Sequence, residues 1–481
     1  MTREDQLTSP QLVRALKLRD LVLFNLVAIL GLRHLATSAK FGVGSLIIWV
    51  VAALFFFIPQ GLAVIELSSR YPREGGIYLW TKRALGEGHG FLCGWCYWIN
   101  NVLYYPNLLL STAVVSTYVI GQGESGLGDS LKFVLPATLI ALWFAVLINI
   151  VGLGAGKWLQ NAGGIGTYIP GIIIILLGAY ALATGSAANP VDSETIRPDF
   201  SKINTLNLLS TIAFAFAGLE LASTMGDEVE NARQNLPRSV FISAPLIAII
   251  YILGTGAVLY LVPNQEINIV SGFLQAVSNG ASRISEHLWW LAPMCAALYT
   301  VGTLGGVGAW LIGPARVAFV IGLDRYFPKS FGRVHPRWHT PYVAILVQAI
   351  LATIFQLITV LGKNTTVEEV YLIMLDMQIL IYFIPYLYLF VVFIMERLGD
   401  EANEGDGKIV KAPIGKPAAL IIGLCGLSVT LLAMVLATIP TAESAHPWLF
   451  RTKVLGGAAV LILLGGLIYW RAKLKQGDAG G

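Results

Sequence analysis

Thr211–Pro237 reads TIAFAFAGLELASTMGDEVENARQNLP, an apolar helical run that meets Gly218 and Glu220 midway and finishes in a charged turn. Hydrocarbon supplies no water to unpaired amides, so backbone that loosens at mid-depth must line a cavity or be covered by protein. An ionisable side chain there is costly, which makes Glu220 a candidate functional residue. The reading requires a second broken helix to face this one.

Composition sets the frame. The chain has 481 residues, 56% apolar and only 12% charged, where soluble domains carry about 25% charged residues. Apolar runs recur from end to end without alternation, which predicts an all-α integral membrane protein and excludes a β-barrel. Twelve candidate spans cover 20–42, 43–69, 89–120, 131–152, 158–184 and 205–231, then 239–262, 287–321, 341–361, 368–395, 417–439 and 453–471. With the N-terminus inside, 23 of the 32 Lys and Arg residues fall on cytoplasmic segments, the asymmetry that orients membrane proteins. The expectation is a multi-pass protein of a plasma or bacterial inner membrane with both termini cytoplasmic. It divides into a tail 1–19, a ten-span core 20–395, a polar linker 396–416, a last pair of spans 417–471 and a tail 472–481. Residues 1–19 lack the apolar core and cleavage site of a signal peptide.

The facing element lies near the start. Leu21–Val43 reads LVLFNLVAILGLRHLATSAKFGV, interrupted by Gly31 with Arg33 and His34 close behind. Spans 1 and 6 are both broken and five spans apart, the pattern of an inverted repeat whose discontinuous helices meet at the midplane. Span 1 runs outward, so the half after Gly31 directs the amides of Leu32, Arg33 and His34 into the break, where they suit a carboxylate. Span 6 runs inward, so carbonyls of Ala213 to Phe216 end its outer half and suit an ammonium. A zwitterion such as an amino acid fits both dipoles.

Three stretches carry a family resemblance. They are Glu66–Trp95 (ELSSRYPREGGIYLWTKRALGEGHGFLCGW), the FAFAGLE break followed by EVENARQNLPRS, and Gly308–Pro341 (GAWLIGPARVAFVIGLDRYFPKSFGRVHPRWHTP). Together they resemble the amino acid–polyamine–organocation transporter superfamily across roughly residues 20–395. Trp98–Pro106 (WINNVLYYP) and AWLIGPAR look most like its glutamate/GABA antiporter branch. The resemblance implies twelve transmembrane helices, a LeuT-type 5+5 inverted repeat and alternating access around a midplane site. Gly31-Leu32-Arg33-His34 departs from the small-residue pattern usual at the first break, which leaves the binding mode of a carboxylate open.

The predicted substrate-binding residues are Ile29, Leu30, Gly31, Leu32 and Arg33 at the first break, and Tyr97, Asn101 and Tyr104 on span 3. Ala215, Phe216, Ala217, Gly218 and Glu220 complete the set, with Glu220, Phe216 and Arg33 as coupling or gating residues. Each has a plainer reading: Arg33 snorkels or pairs with Glu220, Glu220 holds the two halves of span 6, and the span 3 polar groups bond between helices. Tyr299, Thr300, Thr303, Asp376 and Gln378 are weaker candidates. The resemblance places a sodium site at hydroxyls of span 8 or a substituting Lys on span 5, but Gly305–Gly313 has no Ser or Thr and Gly163–Gly171 no Lys. A carrier of amino acids or derived amines, working as an exchanger or with protons, is expected; a polyamine transporter or a sensor is the alternative. Its partners are the small solute and the bilayer, not nucleic acid, and the oligomeric state stays open. No cofactor and no metal are expected, because the six histidines share no helix face and Gly152–Trp158 lacks the phosphate-loop spacing. Cys93-Gly-Trp-Cys96 sits in an apolar helix and reads as packing, not redox chemistry. No nucleophile–base set points to an enzyme.

Overall fold

The computed structural model describes residues 14–123, 125–151, 153–189, 191–360, 367–399, 409–412, 414–440 and 447–478. Most of the expected first tail, the 400–408 part of the expected linker and 479–481 lie outside the described residues. The chain is all-α. The first broken element is α1 (Leu18–Ile29) with α2 (Arg33–Ala39), followed by α3 (Ser45–Arg70), α4 (Ile77–Leu85) and α5 (Glu87–Val119). Next come α6 (Leu131–Ile150), α7 (Leu153–Ala183), α8 (Ile203–Phe216), α9 (Ala232–Leu261) and α10 (Gly272–Ile284). The chain ends with α11 (Leu291–Leu323), α12 (Tyr342–Val360), α13 (Val367–Leu398), α14 (Lys416–Leu436) and α15 (Pro447–Asp478).

Among the described residues, α3, α5, α6, α7, α9, α11, α13, α14 and α15 are long and apolar enough to cross a bilayer. The α1–α2 pair, bent by 42°, makes a tenth span, while α8 and α12 are apolar but shorter. Large apolar side chains such as Ile140, Leu176, Phe241 and Leu463 stay exposed on the outside, the face that lipid covers. In the interior, small residues let α7 and α11 touch backbone to backbone. A Cβ added at Gly163 would lie 2.8 Å from the Cα of Gly305, and one at Gly166 only 2.3 Å from the carbonyl oxygen of Leu298.

Both breaks are real interruptions of hydrogen bonding. α1 stops as Leu30 turns extended, and the chain re-enters a helix at Arg33. α8 stops at Phe216, Ala217 is extended, and Gly218 has φ +130°, a conformation that side chains resist. A Cβ at Gly218 would also meet Cγ1 of Ile29 at 2.9 Å, so one glycine serves the turn and the contact between the breaks. The predicted helix over 205–231 is corrected here. After Gly218 the chain forms only 3₁₀ turns, Leu221–Thr224 and Gly226–Glu228. The hydroxyls of Ser223 and Thr224 donate to the carbonyls of Glu220 and Leu221 at 2.5 and 2.7 Å, competing with the helical ladder.

Side chains from neighbouring helices meet the freed backbone. The Tyr251 hydroxyl on α9 lies 2.5 Å from the Ile29 carbonyl and 3.1 Å from that of Ala215, and accepts from the Gly31 amide at 3.0 Å. One phenol thus ties both breaks. Trp310 Nε1 donates to the Ala28 carbonyl at 2.9 Å, and the Gly218 amide donates to Tyr386 at 2.6 Å. With its amide oriented to satisfy its neighbours, Gln60 donates to the Phe216 carbonyl at 3.1 Å and accepts from the Leu219 amide at 3.1 Å.

On the face that carries the N-terminal residues, the irregular stretch is clamped. Arg316 on α11 donates twice to Glu228, at 3.1 and 2.8 Å, and approaches Glu74 at 3.6 Å. Amides of Ala15 and Leu16 donate to the Glu228 carbonyl at 3.0 and 3.1 Å, and the Glu230 amide returns a bond to Leu16.

Two outcomes test these contacts. Tyr251→Phe keeps the stacking on Trp49 at 4.5 Å but strands the break backbone, so thermal unfolding in detergent should report a loss of about 1–3 kcal/mol. Burial, then the adjacent Glu228, pushes the Glu74 carboxyl well above its ordinary pKa. An acid whose folded pKa is raised adds stability at low pH that disappears as pH rises through that folded value. Unfolding midpoints should therefore fall as pH rises from the acid range, and Glu74→Gln should flatten that slope.

Candidate functional site

Between the two breaks lies a narrow cavity of about 30 Å³, room for about one water molecule. An amino-acid-sized solute therefore needs the surrounding helices to part. Ile29, Leu30, Gly31 and Arg33 line it from the first break, Ala215 and Ala217 from the second, and Tyr104 from α5. His34, Asn100, Thr167, Tyr299 and Thr303 add polar atoms, while Trp310 and Tyr382 close it.

The other predicted site residues sit elsewhere. Leu32 is fully buried in apolar packing. Phe216 stacks on Phe57 at 4.4 Å and meets Trp49 edge-on at 4.9 Å, outside the cavity lining. Asn101 turns its amide back to the Tyr97 carbonyl of its own helix at 3.0 Å, so Asn100 takes the inward place beside Tyr104. Gly218 lies against Ile29 and Trp310. Tyr97 and Glu220 lie behind Tyr382.

Glu220 is fully buried and accepts from three phenols: Tyr97 at 3.1 Å, Tyr382 at 2.5 Å and Tyr386 at 2.6 Å. These donors satisfy a carboxylate without a cation. Tyr382 belongs to both the cavity wall and this hub, so the two share one side chain. Tyr386, holding Glu220 and Gly218 together, ties the hub to the second break. Sequence reasoning singled out Glu220 and Tyr97 but not Tyr382 and Tyr386, which are two aromatic residues among many in an apolar helix. Trp310 lay inside the AWLIGPAR stretch without a distinguishing mark.

The expectation of bare helix ends is corrected too. The Arg33 amide donates to Tyr299 at 3.4 Å and the His34 amide to the Gly31 carbonyl at 3.0 Å. The Phe214 carbonyl accepts from the Ala217 amide at 3.1 Å. What faces the cavity unpaired is side chain. Arg33 is 2% exposed, its Nε and Nη1 have no acceptor, and no described residue forms an ion pair with it. Its guanidinium lies 5.8 Å from the centre of the Tyr104 ring. Both amide atoms of Asn100 and Nδ1 of His34 are likewise buried without partners. Asp376 borders a separate cavity of about 50 Å³ with Thr37, Asn207 and Ser210. Among the described residues, no group of His, Cys, Asp and Glu is placed to hold a metal ion.

Comparison with known proteins places this architecture. Residues 16–461 match the amino acid permease family. An uncharacterized transporter of Legionella pneumophila is 30% identical over 94% of this chain and 96% of its own length. A probable agmatine/putrescine antiporter of Lactococcus lactis is 24% identical over 91% and 90%, and a glutamate/gamma-aminobutyrate antiporter of the same species 23% over 82% and 78%. These relatives are named as transporters, in keeping with a carrier that performs no covalent chemistry. The chain belongs to the amino acid permease family of the amino acid–polyamine–organocation superfamily, and it is a membrane-embedded secondary transporter.

Proposed function

We propose that this permease carries amino acids or amino-acid-derived amines by alternating access, as an exchanger or with protons. The observation that carries the reading is the cavity between two broken helices whose backbones share one phenol, Tyr251. Solute sites of secondary transporters lie where discontinuous helices meet. In this reading the ten spans of a LeuT-type 5+5 repeat occupy residues 20–395, with α8 and α12 as the sixth and ninth, and α14 and α15 follow it as the eleventh and twelfth. Both termini are cytoplasmic, in a plasma or bacterial inner membrane, as the distribution of Lys and Arg favours.

Roles follow from that orientation. Ile29 to Gly31, Arg33, Tyr104, Ala215 and Ala217 touch the solute. Trp310, Tyr382 and the Glu220 hub form the inner gate, and the Arg316–Glu228 clamp closes the cytoplasmic exit below it. Phe216 couples gating through Phe57, Trp49 and Tyr251. The names of the Lactococcus lactis relatives favour exchange, and the glutamate/GABA branch remains our preferred assignment. The agmatine/putrescine name favours a second reading, a polyamine carrier.

Flux into proteoliposomes, with labelled amino acids and amines and with or without internal counter-solute, tests the proposal. Uptake should depend on counter-solute or a proton gradient and persist when choline replaces sodium. Sodium dependence would contradict the coupling, and binding without flux would make the protein a sensor. Glu220→Gln places an amide donor against phenol donors, so uptake should drop about ten- to a hundredfold and lose its pH dependence. An unchanged rate and pH profile would remove Glu220 from the mechanism.

A further inference from the structure

Resting on the carrier reading, we infer that the cavity takes a solute of one net negative charge, an amino acid with a second carboxylate on its side chain, and that Arg33 selects it. Arg33 is a buried guanidinium with two nitrogens lacking acceptors. A buried cation is normally paired, and one facing a cavity at membrane depth marks a place for an anion. The groups around it are neutral. The Tyr104 ring face lies 5.8 Å away, and the Tyr299 hydroxyl is engaged by the Arg33 amide.

No Asp or Glu lines the cavity among the described residues. Glu220 is occupied by Tyr97, Tyr382 and Tyr386, and Asp376 belongs to a different cavity. The fixed charge around the solute is therefore one positive, with nothing to balance it. A diamine would add like charges. A zwitterion would leave one positive charge uncompensated and so be held less well than an acidic amino acid. An acidic amino acid brings the total to zero. Asn100 supplies the complementary partner for the rest of the molecule, since its buried amide offers one free acceptor and free donors. The solute ammonium can use its oxygen, while the carboxylates use its nitrogen and Arg33.

The test compares isosteres, so that folding cancels. Purified wild-type protein and Arg33→Gln and Arg33→Lys variants are given L-glutamate, L-aspartate, L-glutamine, L-alanine or putrescine. Binding is read from the shift in thermal unfolding, and transport from uptake competition in proteoliposomes. Wild type should prefer an acidic amino acid to glutamine by about tenfold or more, the worth of a charge-assisted bond. Putrescine should neither bind nor compete. Arg33→Gln should abolish the glutamate-over-glutamine ratio, and Arg33→Lys should retain part of it. A wild-type preference for neutral or cationic solutes overturns the inference, as does an unchanged ratio in Arg33→Gln. If Arg33→Gln fails to fold, the wild-type ratio decides. Arg33-dependent glutamate binding without flux would sink the carrier reading and keep this one. Exchange of neutral amino acids indifferent to Arg33 would do the reverse.

Discussion

A peptide group inside a bilayer must find a partner in the protein, and that constraint organises this fold. Two helical spans are interrupted, and much of the freed backbone is answered by side chains from other helices. Tyr251, Trp310 and Tyr299 answer the first break, and Tyr386 and Gln60 the second. The choice of hydroxyl, indole and amide side chains is physically apt. Each satisfies backbone without adding a charge, so the carboxylate and the guanidinium at the centre are left for other work.

Those two ionisable groups are treated differently. Glu220 is surrounded by phenols and bound into the structure, whereas Arg33 keeps open donors beside a cavity. Tyr382 stands between them, since its hydroxyl bonds the Glu220 carboxylate while its ring walls the cavity. A chain of contacts therefore joins the solute space to Glu220, then through Tyr386 to Gly218 and the irregular stretch that Arg316 clamps. The second break is thus linked by contacts to both the cavity wall and the Arg316 clamp.

Much of this was legible in residue order. The apolar runs, the paired interruptions near Gly31 and Gly218, and the anomalous Arg33 and Glu220 all stand out because hydrocarbon penalises them. The family resemblance rested on local strings that survive divergence. What could not be read was direction. Asn100 and Asn101 are neighbours, and only the back-bond to Tyr97 decides which one turns inward. Phe216 sits one residue from the cavity wall yet joins an aromatic stack. The helix expected after Gly218 gave way to 3₁₀ turns because hydroxyls of Ser223 and Thr224 took the carbonyls, a competition that apolar content does not reveal.

The bridge between Leu16 and Val229 joins positions roughly two hundred residues apart. When the ribosome has made Leu16, every helix from α1 to α8 must still be made before its partner exists. Closing so large a loop carries an entropic charge that grows only slowly with length, but it cannot be met early. The clasp therefore cannot form until α8 and the turns after it have been made, and Ala15 and Leu16 must wait for Glu228 and Val229.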